Sequence, residues 1–170
     1  MGDLLTISHR FRHPAVVAPN FLLPYCLLTL FLLPFIVSPA SAGEPLVVVA
    51  RAGDHLPRLT TAEVTAIYLG ETTFVAGLAV HPVDYHRTVP IRDEFLKQVL
   101  HMPPVAFDSH WIKTVFRSGG IPPLRALSIK SALAEVHTRQ GTVAYVPVSA
   151  AMEDTQVTII WRQTRTAPLP

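Results

Sequence analysis

The feature that most constrains this chain is a segregation of apolar residues near its start. The stretch from Phe21 to Val37 reads FLLPYCLLTLFLLPFIV, with Arg10 and Arg12 before it and the small residues Ala40, Ser41 and Ala42 after it. A basic segment, an apolar run and an A-x-A site are the three parts of a cleavable secretory signal, with cleavage expected after Ala42. The competing reading is an uncleaved anchor, but Pro24 and Pro34 interrupt the run, which is near the lower limit for a spanning helix. Cys26 has Leu23, Pro24 and Tyr25 before it in place of the small residues of a lipoprotein signal, so lipid attachment through it is disfavoured. The expected organisation is a signal over residues 1–42, a folded domain over 43–150, and a terminal strand with a loose tail over 151–170. The mature protein is expected in the periplasm, touching membrane only through its signal.

Beyond Ala42 there is no cysteine, and positive and negative side chains nearly balance. Disulfide scaffolds and cysteine-based zinc sites are excluded, and stability must come from one hydrophobic core. Over the whole chain 15% of residues are charged and the formal net charge is +2, which gives no polybasic surface for nucleic acid.

Periodicity then lays out the domain. Leu46–Ala50 (LVVVA) reads as a strand buried on both faces. Thr60 and Glu63 form a capping box for a short helix that stops at Gly70. Residues from Leu78 to Val83 read as a second strand. A second helix begins near Thr88–Pro90, with Ile91, Phe95, Val99 and Leu100 inward and Arg92, Asp93, Lys97 and Gln98 outward. A third opens at Pro103–Pro104, buries Phe107, Trp111, Ile112, Val115 and Phe116, and ends at Gly119–Gly120. Pro122 and Pro123 hold an extended connection. Ser128 caps a fourth helix that ends by Gly141, and strands follow over Thr142–Val146 and Val157–Trp161. Strands alternating with helices imply an α/β sheet.

No G-x-S-x-G, H-E-x-x-H or G-x-x-x-x-G-K-[ST] occurs, which disfavours an enzyme. His55, His81, His86, His101, His110 and His137 lack an accompanying Cys or Glu at ligand spacing and read as surface or loop residues, with no metal and no cofactor. The segment DYHRTVPIR from Asp84 to Arg92 runs from a strand end into a helix start, where backbone N–H groups and the helix dipole favour an anion. Arg87, Thr88 and Arg92 add a hydroxyl and two cations. The plainer reading is an ordinary helix start whose dipole Asp93 and Glu94 already complement. Arg51, at the end of the first strand, joins the same rim of the sheet or is a surface arginine.

The stretches LTTAEVTAIYLGE (59–71), PVDYHRTVPIRDEFLKQVL (82–100), WIKTVFRSGGIPP (111–123) and GTVAYVP (141–147) resemble, in that order, the phosphate-type substrate-binding proteins of ABC transporters, and most of all their short single-lobe relatives. The resemblance implies an α/β fold, one lobe of a type II periplasmic binding protein with a small mixed sheet flanked by helices. It implies an exported, non-enzymatic protein that recognises an oxyanion such as phosphate, alongside an ABC permease or a sensor, and the residues read above as candidates to bind it are Arg87, Thr88, Arg92 and Arg51. In full-length members a Ser-Gly-Thr loop stands where His86–Pro90 stands here. Val89 brings no hydroxyl and Pro90 no N–H, so binding is expected to be weak or partner-assisted. The alternative is a periplasmic interaction or sensory module that has lost its ligand.

Overall fold

The computed structural model describes residues 43–164. The Phe21–Val37 run, the Ala40–Ala42 site and the end of the tail lie outside these residues. No helix among the described residues is long and apolar enough to cross a membrane.

The chain runs β1 (Leu46–Arg51), a 3-10 turn (Ala52–Asp54), α1 (Thr61–Tyr68), β2 (Phe74–Val75), β3 (Leu78–Ala79), β4 (His81–Tyr85), α2 (Ile91–Gln98), α3 (Pro104–Ser118), β5 (Leu124–Ala126), α4 (Ile129–Thr138), β6 (Thr142–Pro147), α5 (Val148–Glu153) and β7 (Val157–Arg162). Five strands form one mixed sheet in the order β5-β4-β6-β1-β7, and β2 and β3 make a separate hairpin. β4 lies parallel to both β5 and β6, whereas β1 is antiparallel to β6 and β7. This is the small mixed sheet flanked by helices that the resemblance implies.

The continuous apolar run of β1 reflects its central place. Every side chain from Leu46 to Ala50 is at most 1% exposed, so both faces of the strand are covered. One cover is aromatic: Tyr68 of α1 and Phe95 of α2 meet Tyr145 of β6, with Phe95 stacked on Tyr145 at a centroid distance of 3.8 Å. α4 and α5 pack against β1 and β6.

Helix starts follow the sequence signals closely. Thr60 accepts the Glu63 N–H while the Glu63 carboxylate accepts the Thr60 N–H, which completes the capping box. Ser128 caps α4 in the same reciprocal way with Ser131. Gly119 ends α3 in the left-handed conformation at φ 66°.

Three expectations are corrected. The predicted strand over Leu78–Val83 is split at Val80, so that β3 closes a hairpin and β4 enters the sheet. β5 and α5 stand where the sequence reading placed a connection and the start of the tail segment. The stripe of α3 is narrower than predicted. Phe107 and Trp111 are buried, but Ile112, Val115 and Phe116 are exposed, Phe116 to 86%. Phe107 and Trp111 lie one turn apart and suffice to seat the helix on the core, while Ile112, Val115 and Phe116 follow Asp108 at helical spacing on another face.

Candidate functional site

β4 ends in the buried residues Val83, Asp84 and Tyr85, and the charge among them organises the site. Asp84 is 2% exposed, and Arg92, the second residue of α2, is 1% exposed. The predicted outward orientation of Arg92 is therefore overturned. Its Nε donates to both Asp84 oxygens, at 3.2 and 2.9 Å, and an Nη donates to Asp108 Oδ1 of α3 at 2.6 Å. The guanidinium also lies 5.7 Å from the centroid of the Phe107 ring. Burial works against the charge on Arg92, but Asp84 and Asp108 more than offset it and raise its pKa above the ordinary arginine value. A buried charge must be paired, and this one is paired twice.

Asp84 has further partners. Tyr145 donates its hydroxyl to Asp84 Oδ1 at 2.8 Å. Burial, and then the adjacent Asp84 charge, push the Tyr145 phenol well above its usual pKa, which keeps it a donor. Arg125 of β5, beside Asp84 in the strand register, donates to the Tyr85 carbonyl at 3.0 Å and lies 3.6 Å from Asp84 Oδ2.

Above this cluster a groove of about 550 Å³ opens at the carboxyl end of β4 and alongside β5. Arg87 and Arg125 line it, together with Asp84, Asp108 and His86. Its other wall is apolar and comes from Ile112, Val115 and Phe116 of α3 with Pro122 and Pro123.

The four residues expected to bind an oxyanion are not brought together. Arg87 is exposed and lines the groove. Thr88 lies in the same turn, but its hydroxyl is engaged with His86 Nδ1 at 2.9 Å. Arg92 sits beneath the groove, held by the two carboxylates. Arg51 is at the opposite rim of the sheet, because β1 runs antiparallel to β6 and β6 parallel to β4. There it forms a salt bridge with Asp54 at 2.7 Å. Backbone donors at the start of α2 are also spent internally: the Val89 N–H on the His86 carbonyl, and those of Arg92 and Asp93 on Val89 and Pro90.

Sequence reasoning missed Arg125. It sits in a three-residue strand, too short to show a period, and its link to Tyr85 spans 40 residues. The only local signal is an arginine placed soon after Pro122–Pro123.

The histidines are scattered. His110 meets the Leu69 carbonyl, His137 meets Asp154, and His81 lies near Arg139. Burial, and then the Arg139 charge, lower the His81 pKa. Among the described residues no three His, Cys, Asp or Glu side chains gather as a metal site.

No protein-family model matches the chain, and no curated protein matches it. Solved structures do. An ABC-type phosphate transport receptor from Vibrio cholerae superposes with a TM-score of 0.52 at 14% identity, over 69% of this chain and 46% of its own. A protein from Clostridium perfringens, described as a phosphate ABC transporter substrate-binding protein with bound phosphate, gives a TM-score of 0.53 at 14% identity, over 69% and 44%. The fold is periplasmic-binding-protein-like. This chain spans less than half the length of either structure, the first described as a transport receptor and the second as a substrate-binding protein.

Proposed function

We propose that this chain is an exported, solute-binding-like protein that recognises an oxyanion such as phosphate weakly or together with a partner chain, and performs no covalent chemistry. One observation carries the reading: Arg87 and Arg125 line a single groove at the carboxyl end of β4, and open α/β sheets gather their ligands beyond strand carboxyl ends. Three guanidinium groups stand against two carboxylates there, leaving an excess positive charge for an anion to neutralise. Weakness follows from the same geometry. Arg92, the Thr88 hydroxyl and the first-turn N–H groups are engaged within the protein, and each engaged donor removes a charge-assisted hydrogen bond worth about 1.5–3 kcal/mol. A permease or sensor docked over the groove would supply the missing donors.

The signal-like segment and the likeness to transport receptors support a periplasmic location. The test is a thermal-shift titration with phosphate and sulfate against chloride at matched ionic strength. Binding raises the melting temperature by mass action, with half-effect in the high-micromolar range or above, and Arg87→Ala weakens the response. A flat titration up to tens of millimolar, on the order of the weakest specific binding, would instead favour the interaction or sensory module. The exposed Ile112 and Phe116 beside the fully paired Arg92 are the observation on that side.

A further inference from the structure

The groove is built of two unlike halves, and inorganic phosphate answers only one of them. The β4 and β5 side contributes Arg87 and Arg125, with His86 next to Arg87 in the chain. The carboxylates there are occupied: Asp84 by Arg92, Tyr145 and Arg125, and Asp108 by Arg92. The α3 side presents Ile112, Val115 and Phe116, which follow Asp108 at intervals of four, seven and eight residues and so form one continuous face. Ile112 is 58% and Phe116 86% exposed, an arrangement that costs hydration free energy and that core packing does not explain. Pro122 and Pro123 face the same space and add apolar surface without adding an N–H donor. The volume of about 550 Å³ falls in the range of small-molecule sites, and a bare tetrahedral oxyanion fills a small part of it.

We propose that the groove takes an organic anion with an apolar body, a phosphate monoester of an aryl or alkyl group, whose anionic head lies at Arg87 and Arg125 and whose body lies along Ile112, Val115 and Phe116. The proposal rests on the oxyanion reading above and narrows it. Charge complementarity decides the orientation, because Arg87, Arg92 and Arg125 outnumber Asp84 and Asp108 and Arg87 has no carboxylate partner among the described residues, while Ile112, Val115 and Phe116 carry no charge. The apolar wall accounts for a binding site that lacks the donors an inorganic anion needs: burial of the ligand's body supplies the affinity that hydrogen bonds do not.

Phenyl phosphate is the probe, compared with inorganic phosphate and with benzyl alcohol in thermal-shift titrations of the protein at matched ionic strength. Phenyl phosphate should reach half-effect at a concentration lower than inorganic phosphate by about tenfold or more, and benzyl alcohol should do less than either. The ratio between phenyl phosphate and inorganic phosphate should collapse in Phe116→Ser, a substitution at an exposed position that leaves the core untouched. Arg125→Gln should weaken the response to phenyl phosphate. Equal half-effects for phenyl and inorganic phosphate would overturn this inference and leave the oxyanion reading standing. No response to either anion would overturn both. A phenyl phosphate preference that persists in both Phe116→Ser and Ile112→Ser would place the ligand elsewhere and overturn the inference. Protein that floats with anionic vesicles and ignores phenyl phosphate would do the same, assigning the apolar face to a lipid surface.

Discussion

Arg92 shows how one residue can serve a site without touching its ligand. Its guanidinium ties β4, through Asp84, to α3, through Asp108, and so sets the floor of the groove. A single truncation strands a buried carboxylate, which is the costly way to break such a pair. Arg92→Gln should therefore destabilise the protein by about 3–5 kcal/mol, read from urea unfolding. Tyr145→Phe removes a hydrogen bond to the same carboxylate and should cost about 1.5–3 kcal/mol. The two losses should be non-additive in a double-mutant cycle, because both substitutions act on Asp84. Additive losses would mean that Asp84 is not the shared partner. Arg92 also marks a limit of local reading. Its neighbours Asp93 and Lys97 do face outward, and helical period alone cannot tell a buried arginine from a solvated one until Asp84 and Asp108 are found waiting for it. Arg125 is the converse case, a groove residue whose only signal is long-range.

At the scale of elements, local chemistry was legible wherever it is self-contained. The Thr60–Glu63 and Ser128–Ser131 boxes and the Gly119 stop need only their own few residues, and the helices they bound lie close to where the sequence puts them. Elements held by distant partners were not legible. β5 has three residues and exists because β4 pairs with it, and the β2–β3 hairpin is held by a pair of two-residue strands. α3 misled for a related reason: an apolar face at helical spacing says what would be buried by a neighbour, and here no described element covers it. Gly141 is an element boundary that can be tested. It adopts φ 74°, donates its N–H to Asp54 Oδ2 at 2.7 Å, and leads into β6 against the bend between β3 and β4. A Cβ there would overlap the Ala79 carbonyl oxygen. Gly141→Ala should destabilise by about 1–3 kcal/mol through the strained backbone alone, with the overlap adding to it. An unchanged unfolding midpoint would show that the Ala79 bend yields freely.

For the molecule as a whole, the boundary expected at residue 150 crosses the sheet's own architecture. β7 pairs with β1 from Val47 to Arg51 and buries Ile160 and Trp161, while the Leu59 N–H reaches the Ile160 carbonyl. Removing residues 151–170 would uncover one edge of the buried strand β1, and a chain ending at 150 should lose its cooperative thermal transition and bind a hydrophobic dye. A sharp transition in that fragment would refute the role given to β7 and restore the shorter domain. The antiparallel setting of β1 between β6 and β7 has a further consequence, which concerns time. Leu46 pairs with Pro147 and Val47 with Arg162, so β1, the first strand among the described residues, is the last to find its neighbours. Loops that long close slowly, and local helix formation runs far ahead of them. Both edges of this run of valines stay open until β6 is made and one edge until β7 is made, an exposure of the kind that favours aggregation before folding is complete.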